Sequence, residues 1–247
     1  MPLAILGAMP EETGALSRLI LGPRISGRAG REFVAGTLGD TRVVVAFSRW
    51  GKVAAASTTA ELILDHGADR VVFSGVAGGL IPTLRIGDVV VADRLFQHDL
   101  DASPFFAPTQ VPLLGISALP TDRAISEGLH AAAAEFLRTD LPGFRPTSAR
   151  FSAADRRVVR ADIASGDQVI ADAASRARVL ARVPTAAAVE MEGAAAAQVC
   201  FEHGVPFACI RTISDSADER IRASFPEFLS ELAAAYTCGI VRRWLRA

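Results

Sequence analysis

Lysine is almost missing from this chain. Of 26 Lys and Arg residues only Lys52 is a lysine, and 27 Asp and Glu residues bring the formal net charge to -1. The arginine excess reads as coding bias rather than as a basic surface. It offers no electrostatic case for binding nucleic acid or an anionic membrane. Cysteine is scarce and odd in number, with Cys200, Cys209 and Cys238 and no CxxC pair or Cys/His cluster. That excludes a disulfide framework and predicts no metal site; reduced, buried thiols in a cytosolic protein are the expectation. No uninterrupted apolar stretch is long enough to cross a bilayer. The opening MPLAILGAMPEE has no basic segment ahead of its apolar residues, unlike a signal peptide, so a cytoplasmic location is expected. Neither GxGxxG nor GK[ST] occurs, so nucleotide phosphate binding is not indicated and no cofactor is predicted.

What is present is an alternation of strands and helices. Half of the 247 residues are hydrophobic and about a fifth are charged, which suits a well-buried core in one large α/β domain or two small ones. Leu3–Leu6 reads as a strand, followed by a turn and a helix with Pro10 at its first position and Glu11 and Glu12 in its first turn. Phe33–Leu38 and Arg42–Phe47 form a hairpin about Gly39-Asp40, and Val53–His66 a helix closed by Gly67. Arg70–Ser74 is a strand leading into a glycine loop, Gly75–Gly79, and Val89–Ala92 is another strand. Gln97–Phe106 is a loop, and Ala107–Pro120, with its prolines, is irregular. Thr121 or Asp122 caps a helix running to Leu137. Arg156–Ala164 is a strand, Asp172–Ala181 a polar helix, and Ser224–Arg246 a final amphipathic helix. No internal repeat or low-complexity segment interrupts this order. A mostly parallel or mixed sheet covered by helices follows.

The segment Ala188–Asp218 organises the rest. Ala188-Val189 leads to Glu190-Met191-Glu192, an alanine-rich helix runs to His203, Gly204 stops it, and Phe207–Ile213 is a buried-type strand. Glu192 and Asp215 therefore stand just past the ends of two successive strands, the edge at which open α/β sheets bind ligands. One of the pair Glu11 and Glu12 would stand at the same edge. Each acid alone is equally readable as a solvated helix-start or turn residue; their pairing points to a site.

Several motifs occur together in order. They are Ile5–Met9 with Glu12, Gly51–Ala55, Gly75–Gly79, Ile86–Val90, His98-Asp99, Ser165–Asp167, Val189–Glu192 and Arg211–Asp215. In this the whole chain resembles the 5'-methylthioadenosine/S-adenosylhomocysteine nucleosidases of the nucleoside phosphorylase family. The VEME and RxISD pair is the specific part of the resemblance; the glycine run is not. The resemblance implies a single α/β domain over residues 1–247 with a central mixed β-sheet, partly closed into a barrel and flanked by helices, in a homodimer. It implies hydrolysis of the N-glycosidic bond of an adenine nucleoside, in the service of methionine salvage. Asp215 would protonate the leaving adenine and Glu12 would deprotonate the attacking water. Glu192 would accept the ribose hydroxyls and Met191 would pack on the sugar, with Glu190 beside them. Arg211 would orient the water and the carboxylates, and Ser214 would place Asp215. The backbone at Val169 and Ile170 would read the adenine edge near Ala77 and Gly78. Met9, Trp50, Phe225 and, from the partner subunit, Phe105 would wall the 5'-substituent.

The chain departs from that pattern at Val76, where several relatives have serine, and at Val169, where they have phenylalanine. Trp50 stands in place of a smaller aliphatic, and Gly193 where alanine is frequent. These leave the catalytic set intact and bear on substrate range. A purine nucleoside phosphorylase of the same fold is the first rival. It needs a phosphate site, and the positions where phosphorylases put arginine and serine are Phe73 and Val76 here. A non-catalytic nucleoside-binding protein is the second, and it would have no need of both Glu12 and Asp215.

Overall fold

The computed structural model describes residues 1–143, 155–219 and 221–246. Its strands are β1 (Leu3–Gly7), β2 (Leu21–Arg28), β3 (Arg31–Leu38), β4 (Thr41–Phe47), β5 (Arg70–Gly79), β6 (Val89–Gln97), β7 (Leu119–Pro120), β8 (Val158–Ser165), β9 (Ala186–Glu190) and β10 (Phe207–Asp215). The helices are α1 (Pro10–Ser17), α2 (Lys52–Leu64), α3 (Arg123–Thr139), α4 (Ala173–Arg182), α5 (Gly193–Glu202), α6 (Ile221–Phe228) and α7 (Ala234–Trp244).

All strands belong to one mixed sheet. β5 pairs parallel with β10, β10 antiparallel with β6, β6 parallel with β8, β8 parallel with β9, and β9 antiparallel with β5. Those five strands close a barrel, so the closure expected to be partial is a full ring. From β5 the sheet continues outward through β1, β4, β3 and β2. A parallel sheet with helices on both faces buries both sides of its strands. β1 shows this within four residues. Leu3 and Ile5 pack with Leu16 of α1, Leu129 and Phe136 of α3, and Tyr236 and Ile240 of α7. Ala4 and Leu6 point the other way, into the cluster holding Leu62 of α2 and Ala194–Cys200 of α5. Burial of each large apolar side chain is worth about 1.5–3 kcal/mol, and the period-two alternation directs it to both layers.

Local signals place the helix starts. Asp122, rather than Thr121, caps α3 by accepting the Ile125 N–H at 2.9 Å; the Thr121 hydroxyl instead donates to the Ala92 carbonyl at 2.9 Å. Asp172 caps α4 through the Ser175 N–H at 2.7 Å. Gly204, at φ +64°, ends α5 in the left-handed region that favours glycine.

Three expectations need correction. Gly75–Gly79 is not a loop but the second half of β5, hydrogen-bonded to β10 and β9. The glycines are there for space: a Cβ at Gly75 would lie 2.6 Å from Oε1 of Glu12, and one at Gly78 2.9 Å from Oδ1 of Asp215. Within the irregular stretch, Leu119–Pro120 forms a short strand on β6, which itself runs on to Gln97. The final helix is not continuous. Pro226 lies inside α6, and a π-helical turn at Leu229–Ala233 joins it to α7. Proline has no backbone N–H to donate, so α6 lacks one helical hydrogen bond at Pro226. The exposed strand β2 has no period-two apolar pattern and was not foreseen.

Candidate active site

The C-terminal ends of β1, β4, β5, β8, β9 and β10 deliver residues to one cavity of about 240 Å³. Of the residues singled out in the sequence, Met9, Glu12, Trp50, Ala77, Gly78, Val169, Ile170, Glu190, Met191, Glu192, Ser214, Asp215 and Phe225 line it. Arg211 lies beneath it, fully buried, and Phe105 does not reach it.

Glu12 is the third residue of α1. Its Oε2 reaches back to the N–H groups of Met9, at 3.1 Å, and of Ala8, at 2.6 Å, and its Oε1 accepts the Val76 N–H at 3.0 Å. The first of these is half of a capping box. Glu11, its neighbour, stays exposed, as an ordinary helix-start acid does, whereas Glu12 is buried. Burial raises the Glu12 carboxyl above its ordinary value, against the opposing pull of Arg211 and the three backbone donors.

At the end of β10, Oδ2 of Asp215 accepts the Ser214 hydroxyl at 2.8 Å, and Oδ1 accepts the Ala217 N–H at 2.8 Å. Burial raises this carboxyl too; the hydroxyl and the N–H only partly oppose it. Burial thus favours the protonated form that a general acid needs.

The two glutamates of Glu190-Met191-Glu192 differ in their surroundings. Glu190 is committed internally. Its oxygens accept Arg211 Nη2 at 2.6 Å, the N–H of Glu192 at 3.1 Å, the N–H of Gly193 at 2.8 Å, and the Ser165 hydroxyl. Ser165 in turn takes the Ala194 N–H at 2.8 Å. Glu190 thus braces the start of α5 and holds the guanidinium. Gly193 leaves close-fitting space beside it: a Cβ there would lie 2.7 Å from Cδ2 of Leu95 and 3.1 Å from Oε1 of Glu190, so those side-chain ends would have to shift. Glu192 accepts the Gly51 N–H through Oε1 at 2.7 Å. Its carboxyl is raised to about 8 by burial and by the neighbouring Glu190 charge.

Arg211 stacks over Phe73, its guanidinium carbon 4.2 Å from the ring centroid. Its Nε and Nη1 have no hydrogen-bond partner among the described residues, and Nη1 stands in the buried space beside Gly75 and Glu12. Trp50 and Phe225 meet edge to face, centroids 6.0 Å apart, at the mouth.

Ala8, Gln168, Val189, Ile221, Arg222 and Pro226 also line the cavity and were not foreseen. Gln168 follows directly from Val169 once the β8 loop is placed. The spacing Ile221, Arg222, Phe225, Pro226 is that of one helix face, though only the packed helix shows which face it is. Val76 drew notice for a missing hydroxyl, yet it is its backbone N–H that meets Glu12, and any residue type carries one. Among the described residues, no group of His, Cys, Asp and Glu is arranged to hold a metal ion, and no helix is long and apolar enough to cross a membrane. Cys200 and Cys209 are free and buried, with thiols pushed up to about 12 by burial.

Comparison with known proteins agrees with this geometry. Residues 2–246 match the family model described as Phosphorylase superfamily. A 5'-methylthioadenosine/S-adenosylhomocysteine nucleosidase of Geobacillus kaustophilus is 38% identical over 98% of this chain and 95% of its own. The corresponding enzyme of Neisseria meningitidis, solved with methylthio-immucillin-A, superposes with a TM-score of 0.88 at 33% identity, covering 99% of this chain and 98% of that one. Futalosine hydrolase of Helicobacter pylori superposes with a TM-score of 0.85 at 31% identity, covering 100% and 97%. With that fold, that arrangement of carboxylates and those relatives, the chain belongs to the 5'-methylthioadenosine/S-adenosylhomocysteine nucleosidase family of the phosphorylase superfamily.

Proposed function

We propose that the protein hydrolyses the N-glycosidic bond of 5'-methylthioadenosine and S-adenosylhomocysteine, releasing adenine and the 5-thioribose product. The observation that carries this reading is a pair of buried carboxyls, Glu12 and Asp215, raised above their ordinary values on one cavity. They lie against Gly75 and Gly78 of β5, about 10 Å apart along the strand at 3.3 Å per residue. That leaves room for a nucleoside between them. The bond breaks towards a ribosyl cation, so the base must leave protonated. Asp215 delivers that proton to the purine and is then an anion steadied by Ser214 and the Ala217 N–H. Glu12, once ionised, takes a proton from water as it attacks the anomeric carbon, and its raised affinity for protons makes it a stronger base than an exposed glutamate. The second oxygen of Glu192 faces the ribose hydroxyls. The free donors of Arg211 hold the water.

Phosphorolysis by the same fold is disfavoured on charge and geometry. Phe73 is fully buried beneath Arg211, Val76 brings no hydroxyl, and the guanidinium is already paired with Glu190. A phosphate placed beside Glu12 would be a desolvated anion next to an acid. The reading extends to a homodimer in the cytoplasm, serving methionine salvage, with the Gln97–Phe106 loop completing the neighbour's site. Its support is that Phe105 is 86% exposed on the single chain, an apolar ring with no cover.

Adenine release from methylthioadenosine with and without phosphate tests the activity. Equal rates and a free thioribose are expected. Strict phosphate dependence with a sugar phosphate product would overturn the hydrolytic reading.

A further inference from the structure

Three of the motif stretches meet one another beside the cavity: Gly51-Lys52, His98-Asp99 and Ser165-Gly166-Asp167. They follow β4, β6 and β8, and the fold joins them in a closed ring. Nζ of Lys52 donates to Oδ1 of Asp99 at 2.6 Å. Oδ2 of Asp99 accepts the Asp167 N–H at 2.8 Å. Oδ1 of Asp167 accepts the Lys52 N–H at 2.8 Å, which closes the circuit. Lys52 and Asp99 are 17% and 22% exposed, so the pair is largely shielded from the screening that weakens surface ion pairs. Burial alone would raise the Asp99 carboxyl, but the Lys52 ammonium and the Asp167 N–H outweigh it and hold it below its usual range.

The ring ends on the cavity at two places. Gly51, the N-cap of α2, has no side chain to satisfy the first N–H groups of the helix. The Asp167 carboxylate caps the Lys52 N–H from another part of the fold, and Glu192 takes the Gly51 N–H. Both carboxyl groups sit at the positive end of the helix, where the charge of Asp167 is favoured. Gly51 holds φ +94°, and a Cβ there would lie 3.1 Å from Oδ1 of Asp167. At the other end, Asp167 directly precedes Gln168, Val169 and Ile170 of the cavity wall. The chain uses arginine at every other basic position and keeps its only lysine here. A compact ammonium makes one short contact where a planar fork would need a wider acceptor.

We propose that Lys52, Asp99 and Asp167 form a positioning clasp that fixes the Gly51 N–H on one oxygen of Glu192, so that the other oxygen is presented to the ribose hydroxyls. The proposal rests on the nucleoside reading. None of the three lines the cavity; they act through Glu192.

The test is titration calorimetry of the full-length protein with the 7-deaza analogue of methylthioadenosine, which binds through the ribose but lacks the nitrogen to be protonated. Lys52→Met and Asp99→Asn should each weaken binding about ten-fold, the scale of one charge-assisted hydrogen bond, with melting temperatures little changed. Lys52→Arg should recover little of the loss, because a planar guanidinium does not reproduce the single short contact of the ammonium. In a Glu192→Gln background, adding Asp99→Asn should change Kd by less than about two-fold, because residues acting as one unit are not additive. Undiminished binding in the single variants, or a full further ten-fold loss on Glu192→Gln, would overturn the clasp. If Lys52→Met does not fold, Asp99→Asn carries the same comparison, since it keeps the acceptor's shape and removes its charge. A wild type that fails to bind the analogue overturns the nucleoside reading and the clasp with it; a wild type that binds, with uncoupled variants, overturns the clasp alone.

Discussion

Neighbouring acids in this protein take different parts because burial and donors differ around each one. Glu11 and Glu12 are adjacent, yet one is solvated and the other meets three N–H groups. Glu190 spends its oxygens on Arg211 and the start of α5, whereas Glu192 takes the Gly51 N–H on one oxygen and lines the cavity. Asp215→Asn should leave the fold intact, since an amide oxygen can still accept the Ala217 N–H. It should lower kcat by roughly 10²–10⁴-fold, the scale of general acid catalysis. Adenine release, with circular dichroism as the control for folding, checks it; a near-normal kcat would remove Asp215 from the mechanism.

Glu192 has a consequence for stability at the same scale. Its folded-state value of about 8 lies above the ordinary glutamate value of 4.5. Between those values the folded protein binds a proton that the unfolded chain does not, so this group's contribution falls as pH rises through the window. At about 1.4 kcal/mol per unit of pKa difference, the cost above pH 8 is a few kcal/mol. Glu192→Gln keeps the acceptor for Gly51 and removes the charge. Its melting temperature should exceed that of the wild type by roughly 10–20 °C at pH 9 and by no more than about 2 °C at pH 5. Parallel melting curves at the two pH values decide the matter. A difference that does not change with pH would show that Glu192 is ionised throughout.

At the scale of elements, β5 is the rail on which the site is mounted. It pairs with β1, β9 and β10, and its glycines let two carboxylates lie against bare backbone. Gly75→Ala would bring a Cβ within 2.6 Å of Glu12 Oε1 and 3.0 Å of Arg211 Nη1. Such overpacking costs about 1–3 kcal/mol, and it falls on the proposed base, so activity should drop far more than stability. Gly14→Ala is the contrasting case. It lies inside α1 with its nearest neighbour, Arg18 Nη1, at 3.8 Å, and should stabilise the protein by roughly 0.5–1 kcal/mol without affecting turnover. Denaturant melts and kcat on both variants check the pair. Equal behaviour of the two would mean that the glycines of β5 are not there for the carboxylates.

At the scale of the whole molecule, the apolar surface asks for a partner. Phe105 and Leu113 are 86% and 95% exposed, and Val53 of α2 is 82% exposed. Phe105 does not touch its own chain's cavity. If the Gln97–Phe106 loop walls the neighbour's 5' pocket, Phe105→Ala should raise KM several-fold for methylthioadenosine and much less for adenosine, which does not fill that pocket. An aromatic contact of this kind is worth about 1 kcal/mol beyond its burial. Light scattering of the wild type should give twice the mass of one chain. A fully active monomer, or equal losses on both substrates, would exclude the shared site.

The sequence by itself determined the kinds of element and most of their order. Period-two apolar runs, Asp122 and Asp172 at helix starts, and Gly204 at a helix end are local signals, decided by neighbours a few residues away. It also placed Glu192, Asp215 and one of the pair Glu11 and Glu12 at one edge, since each stands beyond or at a strand end; burial in the fold shows that the third is Glu12. Tertiary structure alone decided the rest. Five strands closed into a ring, and the glycine run became strand because β9 and β10 pair with it. Glu190 and Glu192 parted roles because Arg211 stands under one and Gly51, 141 residues away in sequence, donates to the other. Lys52, Asp99 and Asp167 met for the same reason: burial and hydrogen-bond partnership are set by what the fold brings near, and no local pattern in the chain encodes which distant N–H a carboxylate will find.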